Sequence, residues 1–134
     1  MNIGIVVSEF NREITEKMEK ACEQHIVKMG HKIAKKINVY GALDVAVPLQ
    51  HLLKQKDVDA VVLLGAVVSG ETDHDKVVVD GALKAFIDLS LKFEKPIGWG
   101  ISGPRQTWKQ ADERAEEYAQ RAVEAVVKIH EQLK

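Results

Sequence analysis

Apolar positions along the chain follow two alternating rhythms: short β-branched runs, and longer stretches in which apolar residues return every third or fourth position. Ile3 to Val7 is apolar enough for a strand covered on both faces, and it ends in Ser8-Glu9-Phe10-Asn11-Arg12. Helical spacing begins at about Ile14, with Met18, Cys22, His25 or Ile26 and Met29 on one side, and Gly30 stops it. Lys32 to Val39 alternates Ile33 and Ile37 with lysines, the pattern of a less buried edge strand that ends at Tyr40-Gly41. A second helix is predicted from about Leu43 to Gln55. Pro48 falls inside it, which requires either a start delayed to about Val47 or a bent first turn.

Asp59 to Val67 carries the most continuous apolar run and belongs at the sheet centre. After the segment Gly65 to His74, Lys76 to Leu91 reads as a helix with Val77, Leu83 or Ala85, Ile87 and Leu91 inward. Pro96 to Ser102 is a glycine-rich fourth strand ending at Ser102-Gly103-Pro104. Thr107 to Leu133 reads as one long helix with Ala111, Tyr118, Ala122, Val126 and Ile129 on its apolar side. That stripe is wide, so part of it is expected to meet another subunit.

Four βα units in succession specify an α/β fold of three layers, α/β/α, around a four-stranded parallel sheet with right-handed crossovers. Ligands collect beyond the carboxyl ends of such strands. Ser8–Arg12, Tyr40–Asp44, Gly65–His74 and Ser102–Gln106 all lie at that end, so four segments converge on one rim. The 134 residues read as a single domain, 1–134, without repeats or an interdomain linker. A formal net charge of −1 leaves no basic surplus for nucleic acid or a membrane surface. Cys22 is the one cysteine, so no internal disulfide is possible; without a signal peptide or a long apolar span, a soluble cytoplasmic protein is expected. No Cys/His cluster has metal-ligand spacing, so no metal is expected.

The segment Gly65-Ala66-Val67-Val68-Ser69-Gly70-Glu71-Thr72-Asp73-His74 carries the clearest chemistry. Its helix start offers backbone N–H groups to an anion. Gly65 and Gly70 are expected to permit positive φ and close approach of a ligand. Thr72 either caps the helix or binds a phosphate oxygen; capping is the commoner role, and the nearby His74, able to move protons near neutral pH, favours a site. His25, His31, His51 and His130 read as solvated or packing residues. Arg114 is either a helix-surface arginine paired with Gln110, Asp112 or Glu116, or an anion clamp brought from a neighbouring subunit; spacing alone favours the surface role. Phe10 and Trp99 are each either core residues or stacking platforms.

Ser8-Glu9-Phe10-Asn11-Arg12-Glu13-Ile14-Thr15, Gly41-Ala42-Leu43-Asp44, Gly65 to Asp75 and Gln110-Ala111-Asp112-Glu113-Arg114-Ala115 together resemble the 6,7-dimethyl-8-ribityllumazine synthase family, in order and across nearly the whole chain. The resemblance implies a flavodoxin-like fold and the penultimate step of riboflavin biosynthesis. In that step 5-amino-6-ribitylaminopyrimidinedione condenses with 3,4-dihydroxy-2-butanone 4-phosphate, without metal or organic cofactor. It also implies a homo-oligomer, a pentamer or a hollow icosahedral shell of twelve pentamers, with each active site between two subunits.

Carried over by the resemblance, Phe10 stacks on the pyrimidine with Asn11 beside it, and Gly41, Ala42 and Asp44 hold the ribityl chain. Val67 and Val68 line the ring pocket, and Trp99 stands on the substrate side. Gly70, Glu71 and Thr72 bind the phosphate, His74 is general base and acid, and Arg114 reaches the phosphate from the neighbouring subunit. The chain has Val39-Tyr40-Gly41 where the family usually has Val-Pro-Gly, Leu43 in place of an aromatic, and Ala46 in place of a proline, with Pro48 displaced. Trp99 is bulkier than usual, and Arg105-Gln106 replaces a smaller pair. These changes are expected to crowd the substrate side and spare the phosphate side. They motivate a second reading, an assembly-forming variant with weakened catalysis. A third, a flavodoxin-like flavin carrier, is disfavoured because flavodoxins place their phosphate loop after the first strand.

Overall fold

The computed structural model describes Met1–Lys134. Four parallel strands, β1 (Asn2–Ser8), β2 (Lys32–Val39), β3 (Ala60–Ala66) and β4 (Ile97–Ser102), form one sheet in the order β2-β1-β3-β4. Helices α1 (Arg12–Lys28) and α4 (Trp108–Gln132) cover one face; α2 (Ala46–Leu53) and α3 (His74–Phe93) cover the other. This is the three-layer, flavodoxin-like arrangement expected, with β2 at an edge and β3 inside.

The burial pattern explains the order. Every residue of β3 is buried and β1 is nearly so, whereas β2 is almost wholly exposed and pairs on one side only. A run without polar relief, such as Val61-Val62-Leu63-Leu64, needs cover on both faces and takes an inner position, and the lysine-rich run takes the edge. Pro48 is accommodated by the delayed start: after a 3₁₀ turn over Ala42–Val45 the α-helix α2 begins at Ala46, and Pro48 lies in its first turn, where no N–H is needed. Thr107 caps α4 reciprocally with Gln110: its Oγ1 accepts from the Gln110 N–H at 3.1 Å, and its own N–H donates to Gln110 Oε1 at 2.9 Å.

Two helix faces differ from expectation. On α3 the buried apolar residues are Val79 and Ala82, flanked by half-buried Val78, Phe86, Leu89 and Phe93, while Val77, Ile87 and Leu91 are 63%, 46% and 73% exposed. Both sets recur at helical spacing, so periodicity alone cannot choose between them, and the aromatic side won the core. On α4 the stripe is consumed inside the chain: Ala111, Ala115, Ala119, Ala122, Val123, Val126 and Val127 are buried with α1, β1 and β3, and only Ile129 of the expected set is exposed. Small residues let α4 lie close. A Cβ on Gly98 of β4 would strike the Ala122 carbonyl.

The sheet turns in opposite directions from β1 and β3, with β1 leading to β2 and β3 to β4, so a crevice opens between their carboxyl ends. No helix is long and apolar enough to cross a membrane.

Candidate active site

At that switch point lies a cleft of about 380 Å³ on the α2/α3 side of the sheet. Its first wall comes from the ends of β1 and β2. Glu9 N–H donates to the Val39 carbonyl at 2.8 Å and Phe10 N–H to the Tyr40 carbonyl at 2.9 Å, extending the strand pairing into the loops. The chain then turns sharply at Asn11, whose φ of 60° is left-handed, a conformation that asparagine tolerates better than most residues. Asn11 Nδ2 donates to the Ala66 carbonyl at 2.8 Å and so ties this turn to the end of β3. Phe10 is thereby held outward, and its ring pairs with that of Tyr40 at a centroid distance of 6.4 Å and an interplanar angle of 54°.

Below the aromatic pair runs the 3₁₀ turn. Asp44 Oδ2 accepts from the Gly41 N–H at 2.9 Å, which leaves its second carboxylate oxygen for a hydroxyl-bearing ligand. Leu43 packs over α3 at Gly81, where a Cβ would come within 2.5 Å of its Cδ1.

The second wall is the segment after β3. Val67 N–H donates to the Ser102 carbonyl at 2.9 Å and Ser69 N–H to the Gln106 carbonyl at 2.8 Å. Gln106 is buried, its Nε2 donating to Ser102 Oγ at 2.8 Å and the Val67 carbonyl at 3.2 Å. Asp75 is also buried, its Oδ2 accepting from the Arg105 N–H at 2.9 Å and from Ser69 Oγ at 3.3 Å. The Arg105 backbone N–H foremost, with Lys76 N–H and Ser69, holds the Asp75 carboxyl below its ordinary value against the opposing effect of burial. Val68, Gly70, His74 and Val78 complete this wall, His74 being exposed at the first residue of α3. Thr72 Oγ1 accepts from the His74 N–H at 3.3 Å and so braces the turn that carries the imidazole.

One cleft therefore gathers Phe10, Asn11, Gly41, Ala42, Asp44, Val67, Val68, Gly70 and His74. Glu71 and Thr72 are exposed beside it and do not line it. Trp99 lies elsewhere: it is paired with Leu63 in mid-strand, several residues short of the rim, and meets Phe86 edge-on at 5.4 Å, so it packs against α3 and does not face its own chain's cleft. Arg114 is exposed on α4, on the other face of the sheet, and makes no ion pair with Asp112 or Glu116. Gly65 is inside β3 and Gly70 in the loop, and neither has positive φ; that conformation falls on Asn11, Gly30, Glu94, Gly103 and Arg105. Gln106 does not crowd the substrate side, because its side chain is spent inside the rim; Arg105 is outside the cleft.

Sequence reasoning gave no role to Tyr40, Leu43 or Asp75, all of which line the cleft. The first two stood out only as departures from a pattern, and Asp75 reads as an ordinary first-turn acid. The remaining titratable groups belong to the scaffold. Burial pushes the Cys22 thiol up to about 12. Glu19, driven up by burial, is pulled below its ordinary value by Arg12 of the same helix at 2.9 Å and by Lys36 at 2.8 Å, the second pair joining α1 to β2. Nowhere do three or more His, Cys, Asp or Glu side chains converge to hold a metal ion.

A family model described as 6,7-dimethyl-8-ribityllumazine synthase matches residues 1–134. The chain is similar to the protein of that description from Methanocaldococcus jannaschii, 47% identical over 134 residues, 100% of this chain and 94% of the relative. It is also similar to those from Methanococcus vannielii, 45% identical over 129 residues, 96% and 91%, and Methanopyrus kandleri, 43% identical over 134 residues, 100% and 94%.

Proposed function

The chain belongs to the 6,7-dimethyl-8-ribityllumazine synthase family, and from that premise we infer that it is the transferase of riboflavin biosynthesis that condenses 5-amino-6-ribitylaminopyrimidinedione with 3,4-dihydroxy-2-butanone 4-phosphate. The observation that carries this reading is the single cleft holding an exposed aromatic ring at Phe10, a free carboxylate oxygen at Asp44 and the imidazole of His74. The pyrimidine stacks at Phe10, its ribityl hydroxyls donate to Asp44, and Val67 and Val68 form the apolar floor. Gly70, Glu71 and Thr72, with the first N–H groups of α3, receive the phosphate. His74 accepts a proton as the amino nitrogen adds to the ketone and returns one as water and phosphate depart. Holding both reactants in register supplies much of the acceleration, since the chemistry needs little beyond proximity and proton transfer.

The assembly belongs to the same proposal. Arg114 cannot serve the cleft of its own chain from the opposite sheet face, and the exposed Val77, Ile87 and Leu91 on α3 form an apolar surface of the kind that self-association covers. A pentamer, alone or as one of twelve in a shell, brings a neighbour's Arg114 to the phosphate. The polar, phosphorylated substrates suit a cytoplasmic setting. The scaffold-only reading loses ground because Tyr40 and Leu43 line an open cleft and do not fill it.

A coupled turnover assay with both substrates, read by the fluorescence of the lumazine product, tests the activity. Product formation is expected; none from well-folded protein would refute it. Mass measurement in solution tests the assembly, five chains or a multiple being expected.

A further inference from the structure

Tyr40 is the most exposed of the large hydrophobic side chains, at 80%, and belongs to neither core cluster. Its hydroxyl makes no hydrogen bond within the chain, so neither packing nor polar pairing within the fold requires a tyrosine here. Yet it is not loose at the backbone. Its carbonyl receives the Phe10 N–H, which sets the two residues opposite one another across the strand ends with both lining the cleft. The rings lie 6.4 Å apart at 54°. A flat heterocycle held between two ring faces needs about 3.5 Å on each side, more than this separation provides, and the tilt leaves no parallel slot. The two rings therefore act as one bent platform. A planar ligand stacks on one of them and meets the other at its edge, while the adjoining Gly41–Asp44 turn places any polyol arm along Tyr40.

We propose that Tyr40 is a binding residue for the ribitylaminopyrimidine, its ring extending the Phe10 platform towards the ribityl side of the cleft. This rests on the functional reading above and deepens it. The contact is made by the ring, so the hydroxyl is dispensable, and the phosphate-bearing substrate, which binds at the other wall, does not sense it.

The test is fluorescence titration of the intact oligomer with 6,7-dimethyl-8-ribityllumazine, alongside steady-state kinetics in both substrates. Tyr40→Ala is expected to weaken lumazine binding about tenfold and to raise KM for the pyrimidine to match, the upper range for an aromatic contact. KM for the butanone phosphate and Tm should stay at parental values, because the ring contributes nothing to the core. Tyr40→Phe should restore binding to within about twofold. Parental lumazine binding in Tyr40→Ala, or equal losses in Tyr40→Phe and Tyr40→Ala, would overturn the proposal while leaving the enzyme reading intact. A parent protein that neither turns over nor binds lumazine would overturn both.

Discussion

The wall formed by Phe10, Tyr40 and Asp44 stands on strand ends zipped by backbone hydrogen bonds, and one chain supplies all of it. The opposite wall, Gly70 to His74, is an exposed turn braced by Thr72 and by the buried carboxylate of Asp75, and Arg114, proposed as its cationic partner, lies on the far side of the sheet. In sequence the ranking runs the other way: Gly70-Glu71-Thr72-Asp73-His74 keeps its pattern, and the 40–48 segment departs from it. Pattern retention and geometric completeness are thus separate properties. If the site is shared between subunits as proposed, it keeps its residues while any one chain holds part of it, and a wall can change its residues and still be fully built.

The largest separation of the two walls is expected from His74→Ala, which should lower kcat by about 100-fold through loss of proton transfer and leave KM for the pyrimidine unchanged, measured by lumazine formation. Phe10→Ala should do the reverse, raising that KM about tenfold or more by loss of ring stacking with a smaller change in kcat; equal effects on both substrates would erase the distinction.

Asp75→Asn removes the brace behind His74 and should reduce kcat by about tenfold through misplacement of the imidazole. Its pH behaviour has a definite sign. The folded-state carboxyl is depressed, so its contribution to stability is present above the unfolded value near ~3.9 and lost as pH falls through the folded value. Thermal melts of the variant should start lower at neutral pH and show a shallower acid-side decline than the parent. The smallest effect is expected from Gly81→Ala, where the new methyl displaces the tip of Leu43 into the aromatic wall: KM for the pyrimidine should rise about threefold, with Tm unchanged or higher because alanine favours the helix.

Strand order, layers and the rim were legible because the apolar runs differ in continuity and because parallel strands put every βα loop at one end. The outward face of α3 was not. Val77, Ile87 and Leu91 share the spacing of Val78, Ala82, Phe86 and Leu89, and only the assembled sheet shows which set meets Trp99 and Ile101. The width of the α4 stripe suggested a partner, but alanines at 111, 115, 119 and 122 let the helix sink onto α1 and the sheet and hide it. Site residues quoted from motifs mostly converge. Trp99 does not, because a position in mid-strand points into a layer and not over the rim. Tyr40 and Asp75 were invisible as site residues because their meaning lies in what stands across from them, a Phe10 ring and an Arg105 N–H distant in sequence.

The proposal that the site is shared between subunits is tested most directly by mixing them. His74→Ala and Arg114→Ala chains, each nearly inactive alone, are unfolded together in equal amounts, refolded and assayed for lumazine. If His74 and Arg114 act across a subunit boundary, random assembly restores both groups at about a quarter of the sites and activity returns to that fraction of the parent. Activity no greater than that of the separate variants, from refolded oligomers of parental mass, would contradict the account.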